Sequence, residues 1–412
     1  MDLAVFDRVC RRLESYPERM IELQSELVKR VALGPTSGGE GEAEKAAFLE
    51  NYLRTRGITD IEDVRAPDPR VPCGYRPNLI VRIPGEDHSR TVWFMAHLDV
   101  VPAGDLESWH SDPFELTVDG DKLIGRGVED NHQGLVASVM AVLALAEEGI
   151  TPACDVGLLL VADEETGSKF GVAHVLSEAD QLRPNDLVVV PDGGEPDGSL
   201  IEVAEKSIAW MKFVVTGQTA HGSTPERGRN ATRAAAHLTV ALEELHERFS
   251  AQDPLFDPPG STFAPTKREA NVDNVNTIPD RDVFYWDCRI LPRYELEEVE
   301  AFVKEKADAV AERFGVQVDI SYPQREKAAP PTSADAPVVR ALRDAVKAVY
   351  GIEARPGGIG GGTVAAFLRR AGIPAAVWAR MEETMHGPDE FCLLSNLVGD
   401  AKVFAHLMLR ES

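Results

Sequence analysis

Basic residues are outnumbered in this 412-residue chain: 43 Lys and Arg stand against 68 Asp and Glu, a formal net charge of -25. A balance of that sign argues against nucleic acid, whose phosphates demand cationic partners, and against anionic membranes. It says little about substrate, because a basic pocket can sit inside an acidic protein. Long apolar runs are missing too. Met1 to Met20 mixes Asp, Arg and Glu with apolar residues at helical spacing and has no continuous apolar core of signal-peptide type. No later stretch approaches the length of a membrane span. Cysteine is sparse: the five residues are scattered and form no CxxC pair, which suits reduced thiols in a cytoplasm and not a disulfide framework. There is no internal repeat and no low-complexity segment. What is present is an ordinary globular composition, 43% hydrophobic and 27% charged, in a chain long enough for two domains.

Periodicity gives the organisation. Phe6 to Arg30 and Glu42 to Arg56 show helical apolar spacing, broken by Gly34-Pro35-Thr36-Ser37-Gly38-Gly39 and closed by Gly57. Asn78 to Ile83 and Thr91 to Ala96 read as adjacent strands, Gly134 to Glu148 as a helix, Val156 to Ala162 and Leu187 to Val190 as apolar strands. The pattern changes near Lys206. Strand 208–215, helix 230–249, strand 261–271, strand 283–290, helix 295–314 and strand 316–321 follow in the order of a ferredoxin-like unit. After Pro330-Pro331 the α/β pattern returns, with helix 337–350, a helix 363–370 after a glycine loop, strand 375–378 and helix 395–409. The expected fold is an α/β catalytic domain with a mixed sheet and helices on both faces, interrupted by an inserted α+β domain. The boundaries are 1–206, 207–325 and 326–412.

Chemistry-bearing residues sit where strands end. His97 and Asp99 close the apolar run Thr91-Val-Trp-Phe-Met-Ala-His-Leu-Asp, and core packing does not explain them. A His with a carboxylate two residues on has the form of a metal ligand and its orienting partner. Asp130 precedes the helix near Gly134, as a ligand or as an N-cap. Asp163-Glu164-Glu165 follows an apolar strand. It is either a solvated acidic turn or a carboxylate cluster neutralised by cations, with one Glu ligating and the other free to act as a base. Asp192 ends the strand 187–191, and His386 follows the last strand. Two His and three carboxylates form a mixed N/O set suited to Zn²⁺, with Mn²⁺ or Co²⁺ as alternatives.

His97-Leu98-Asp99-Val100-Val101-Pro102, Gly125-Arg126-Gly127 with Asp130, Asp163-Glu164-Glu165-Thr166-Gly167-Ser168, Asp192-Gly193-Gly194 and the His386 segment occur in an order that resembles one family. It is the co-catalytic metallopeptidase and amidohydrolase family of succinyl-diaminopimelate desuccinylase, acetylornithine deacetylase, carboxypeptidase G and aminoacylase. The resemblance implies two metal ions bridged by Asp130, with His97 and Asp192 on one and Glu165 and His386 on the other. It implies Glu164 as general base and Asp99 as the orienter of His97. In the inserted domain, Gly217 to Ser223 resembles the segment whose His, here His221, stabilises the oxyanion, often from a neighbouring subunit. Asn276-Thr277-Ile278-Pro279 and Asp287-Cys288-Arg289 resemble substrate-carboxylate segments, pointing to Asn276 and Arg289. Gly360-Gly361-Gly362-Thr363 resembles the loop that presents backbone N–H groups and a Thr, here Gly362 and Thr363, to substrate. One departure stands out. The bridging Asp is usually followed by a short acidic or Met, Lys, Gly run, whereas Asp130 is followed by Asn131-His132-Gln133-Gly134.

The expectation is a cytoplasmic homodimer, paired through an inserted lid or dimerisation domain, that binds two divalent cations per chain, Zn²⁺ foremost. It hydrolyses the amide bond of an N-acyl amino acid. A dipeptidase or carboxypeptidase acting on short peptides is the alternative. A non-catalytic binding protein on the same scaffold is the reading from a different class.

Overall fold

The strand Cys154–Val161 carries no polar side chain after Asp155, so both of its faces need cover. It takes an interior place in the sheet, antiparallel to Leu79–Ile83 on one side and parallel to Asp87–His97 on the other. The expectation that residues 78–83 and 91–96 form adjacent strands is thereby corrected. The segment least able to stand at an edge inserts between them. The computed structural model describes residues 2–179 and 181–410. Among these an eight-stranded sheet runs in the order Ile61–Asp63, Leu79–Ile83, Cys154–Val161, Asp87–His97, Leu187–Val190, Ala375–Val377, Leu200–Glu205, Arg355–Ile359. Four consecutive strands, Cys154–Val161 to Ala375–Val377, are parallel, so their C-terminal ends share one edge.

Helices flank this sheet. His132–Glu147 is apolar nearly all round and buried along most of its length, packed on Asp87–His97, Cys154–Val161 and the helix Leu394–Met408. Its first turn sits directly on a strand end, because a Cβ at Gly134 would lie 2.3 Å from the Pro191 carbonyl oxygen. Pro337–Tyr350 shows both end signals, proline in its first turn and Gly351 at φ +71° after it. The spacing over 6–30 resolves into two helices, Leu3–Leu13 and Pro17–Lys29. Pro17 lacks the N–H that a continuous helix needs there, so it starts the second helix instead. No helix among the described residues is long and apolar enough to cross a membrane.

The chain divides into two units. One comprises Met1–Val203, Thr332–Pro356 and Phe367–Ser412; the other comprises Ala204–Pro331 and Gly357–Ala366. The glycine loop at 360–363 therefore belongs to the second unit, whereas the sequence boundaries assign it to the catalytic domain. The second unit holds a four-stranded antiparallel sheet in the order Thr262–Arg268, Arg281–Ile290, Ser207–Thr216, Gln317–Glu326, with helices Ala231–Leu242 and Leu296–Phe314. That is the spatial order of the expected β-α-β-β-α-β unit. Pro265 is accommodated because its strand lies at the sheet edge and the register shifts beside it. The core here is aromatic and aliphatic, with Phe213 stacked on Phe284 at 4.7 Å.

In the first unit Gly157 pairs with Trp93, and a Cβ at Gly157 would fall 2.1 Å from the Trp93 ring. Gly157→Ala is expected to lower the unfolding free energy by about 1–3 kcal/mol through overpacking. Urea unfolding of the two proteins measures this.

Candidate metal centre

The parallel strands deliver donors at and beyond their C-terminal ends. His97 is the last residue of Asp87–His97, Glu164 and Glu165 open the short turn after Cys154–Val161, and Asp192 follows Leu187–Val190. Asp130 precedes the helix His132–Glu147, and His386 lies in the loop after Ala375–Val377. Open α/β sheets place chemistry at this edge.

The donors converge on Asp130 from two sides. His97 Nε2 is 2.7 Å from Asp130 Oδ1 and 3.6 Å from Asp192 Oδ1. His386 Nε2 is 3.1 Å from Asp130 Oδ2 and 3.3 Å from Glu165 Oε2. Within each set, His97–Asp130–Asp192 and Asp130–Glu165–His386, one donor atom per residue lies within 4.8 Å of the others. The two oxygens of one carboxylate thus face two different imidazoles, the arrangement a bridging ligand needs.

Two divalent cations fit these donors. Imidazole nitrogen with carboxylate oxygen is a borderline set that suits Zn²⁺, Mn²⁺ or Co²⁺. Glu165 Oε1 is buried and has no hydrogen-bond partner among the described residues. The electrostatics also ask for positive charge. Burial pushes the Asp192, Glu165 and Glu164 carboxyls up, Glu164 well above the usual carboxylate range. His386 is pushed up to about 10 by its hydrogen bonds to Asp130 and Glu165. Burial disfavours the charged form of His97, yet Asp192 and Asp130 still raise it well above an ordinary imidazole. Groups that would otherwise take up protons are groups whose charge a cation can balance.

Neighbouring groups fix the donors in place. His97 Nδ1 lies 3.0 Å from the backbone carbonyl of Asp99 and 3.5 Å from its carboxylate. The Asp99 carboxylate also accepts the backbone N–H of Glu164 at 3.0 Å and of Glu165 at 3.1 Å. Asp99 therefore tethers the turn that bears both glutamates as well as adjoining His97. The departing segment after Asp130 is put to use. Asn131 Nδ2 donates to Asp192 Oδ1 at 2.5 Å and to the Pro191 carbonyl at 2.7 Å. His132, fully buried, has its Nε2 2.8 Å from Lys45 Nζ, and burial pulls that lysine down to about 7. Gln133 donates to the Arg380 carbonyl and to Asp400. A buried lysine thus reaches this segment from the helix Ala43–Arg54.

Seven of the twelve residues singled out from sequence come together in the first unit: His97, Asp99, Asp130, Glu164, Glu165, Asp192 and His386. The other five lie in the second unit. His221 is exposed and pairs with Thr277 across a two-stranded ladder, and Gly222 donates to the Asn276 carbonyl at 2.6 Å. His221 Nδ1 accepts the Ser223 N–H at 3.1 Å, which puts the proton of a neutral ring on Nε2. Arg289 is partly engaged already. Its Nε and Nη2 bind both oxygens of Asp287, and Nη1 donates to the Gly360 carbonyl at 2.8 Å. Five donors less three leaves two N–H groups for another acceptor. Thr363, beyond Gly362, gives its hydroxyl to Glu205 at 2.6 Å. The sequence motifs give no role to Asp287, Glu205, Glu129 or Glu390. Asp287 leaves a signal, since residues two apart on a strand share a face; Glu205 leaves none.

Residues 93–410 match the sequence profile described as peptidase family M20/M25/M40. An uncharacterized metallohydrolase of Methanococcus maripaludis is 36% identical over 417 residues, covering 96% of this chain and 100% of that protein. A succinyl-diaminopimelate desuccinylase of Cereibacter sphaeroides is 28% identical over 377 residues, covering 90% of this chain and 93% of that protein. Human carnosine dipeptidase 1 has a similar fold, with a TM-score of 0.75 over 98% of both chains at 17% identity.

Proposed function

We propose, for a chain that belongs to peptidase family M20/M25/M40, that the bond it cleaves is the amide of an N-acyl amino acid with a free carboxylate. The family and the two ligand sets make the chain a metal-dependent hydrolase of amide or peptide bonds. Glu164 is placed to act as the base of such a hydrolase. It adjoins the ligand Glu165, belongs to neither set, and is made more basic by burial. The relative named succinyl-diaminopimelate desuccinylase supports N-acyl chemistry.

His97, Asp130 and Asp192 would hold one cation, and Asp130, Glu165 and His386 the other, Zn²⁺ foremost. Such ions supply Lewis acidity to the carbonyl and acidify water towards neutral pH. In this reading Glu164 takes the proton of the attacking water and returns it to the leaving amine. Asp99 holds the Glu164 turn in place. His221 donates from Nε2 to the oxyanion. The two remaining N–H groups of Arg289, with Asn276, receive the substrate carboxylate, and Gly362 and Thr363 line its approach. The five free cysteines support a cytoplasmic location.

A panel of acetyl-, succinyl- and aminoacyl-amino acids, each assayed with Zn²⁺, Mn²⁺ and Co²⁺, tests the substrate. Acyl-amino acids are expected to turn over and their methyl esters to lose most kcat/KM. Preference for unblocked dipeptides would move the assignment to a dipeptidase. No hydrolysis with any cation would remove the catalytic assignment.

The second unit is proposed as the dimer contact, with His221 of the partner subunit completing each centre. Inactive Glu164→Ala and His221→Ala proteins, mixed and allowed to exchange, should then recover about a quarter of wild-type activity, since half the dimers are mixed and each has one intact site. No recovery despite proven exchange, or a fully active monomer, refutes action between subunits.

A further inference from the structure

The loops bearing Asp130 and His386 are tied to each other by two buried carboxylates, and each carboxylate belongs to one loop and serves the backbone of the other. Glu390 Oε1 accepts the N–H groups of Glu129 at 3.0 Å and Asp130 at 3.1 Å, and its Oε2 accepts Gly127 N–H at 3.0 Å and Arg126 Nη1 at 2.6 Å. In return Glu129 Oε1 accepts the Glu382 N–H, and Oε2 accepts the Thr384 N–H at 2.6 Å and its hydroxyl at 2.7 Å. Arg126 also donates to the Gly387 carbonyl at 3.1 Å. Glu129 and Glu390 are 0% and 1% exposed.

Buried carboxylates are tolerated only when their lone pairs are filled, and here backbone N–H groups fill them. All four oxygens are engaged, so neither residue is spare as a ligand. The loop they hold is strained: Glu383, His386 and Asp389 lie at φ +60°, +63° and +52°. Side chains rarely adopt that region, and it persists where surrounding contacts over-determine it.

We propose that Glu129 and Glu390 are positioning residues, a reciprocal clamp that sets Asp130 against His386 and thereby decides whether the Asp130–Glu165–His386 set can hold its cation. The proposal rests on the two-cation reading of the centre. The two residues act differently. Glu390 grips the backbone of Asp130, which serves both sets. Glu129 grips only the loop of His386, which serves one. Glutamine at either position turns an acceptor into a donor facing N–H groups.

The test titrates metal-free full-length protein with Co²⁺, read by visible absorption, and with Zn²⁺, read by calorimetry. Circular dichroism verifies the fold of each variant. Wild type should bind two ions. Glu129→Gln should keep one ion at wild-type affinity and bind the other about 10–100-fold more weakly, as for other groups that orient ligands. Glu390→Gln should weaken both. The double variant should be little worse than Glu390→Gln, because the two form one unit. Should either variant fail to fold, Thr384→Val removes the hydroxyl from the Glu129 side, and a several-fold loss at one ion is expected. Folded variants that bind both ions as tightly as wild type overturn the clamp, as does an equal loss at both ions in Glu129→Gln. Wild type that binds no Co²⁺ or Zn²⁺ overturns the two-cation reading itself, and the clamp with it.

Discussion

Glu164→Gln should give a folded protein that binds both cations and turns over its substrate about 10²–10⁴-fold more slowly, the usual contribution of a general base. The expectation follows from position. Glu164 and Glu165 are adjacent, and Asp99 holds both backbone N–H groups, yet only Glu165 belongs to a ligand set. The amide keeps the size of the side chain and cannot accept a proton. Fold and metal content should therefore hold while kcat falls and KM changes little. Glu165→Gln makes the contrast, because it should cost a cation. The measurement is kcat and KM beside metal content by atomic absorption. Turnover near the wild-type rate in fully loaded Glu164→Gln would transfer the base role elsewhere.

Removing the cations should abolish activity and also destabilise the fold. Asp130, Glu164, Glu165 and Asp192 converge within one edge of the sheet, and burial already drives the last three toward their neutral forms. Ligands that bind only the native state add RT ln(1 + [L]/Kd), about 2.7 kcal/mol per site at one hundred times Kd. Exhaustive chelation should therefore take turnover below detection and lower the melting temperature, and Zn²⁺, Mn²⁺ or Co²⁺ should restore both. Asp130→Ala should mimic chelation more closely than any other ligand change, because Asp130 alone belongs to both sets. Full activity after chelation, with no cation left by analysis, would sink the metal assignment.

Much of this was legible along the chain because it rests on local pattern. The helix Pro337–Tyr350 announced its ends with a proline and a glycine. The apolar runs before His97, Glu164 and Asp192 marked strand ends, and the ferredoxin-like order emerged from alternating periods. What stayed hidden depends on partners far apart in sequence. Nothing in the two strands 79–83 and 87–97 signals that Cys154–Val161 will part them. The Asp99 carboxylate reads as a partner of His97 two residues away, and nothing local signals that it also holds a turn 65 residues on. Glu129 and Glu390 bind mainly backbone groups, which carry no side-chain identity and so leave little motif. Pro17 differs: it is a local breaker that the helical period around it masks.

The two ligand sets also differ in when a growing chain can assemble them. Donors of the first, at 97, 130 and 192, have all been synthesised once residue 192 is reached, while the second waits for His386, 194 residues later. At about 5–20 residues per second that interval lasts about 10–40 s. Ala375–Val377, which lies between Leu187–Val190 and Leu200–Glu205 in the sheet, arrives equally late. Through that interval the acidic strand ends lack their last neighbours in the sheet. The second set is thus complete only late in synthesis, and the first has its donors well before it.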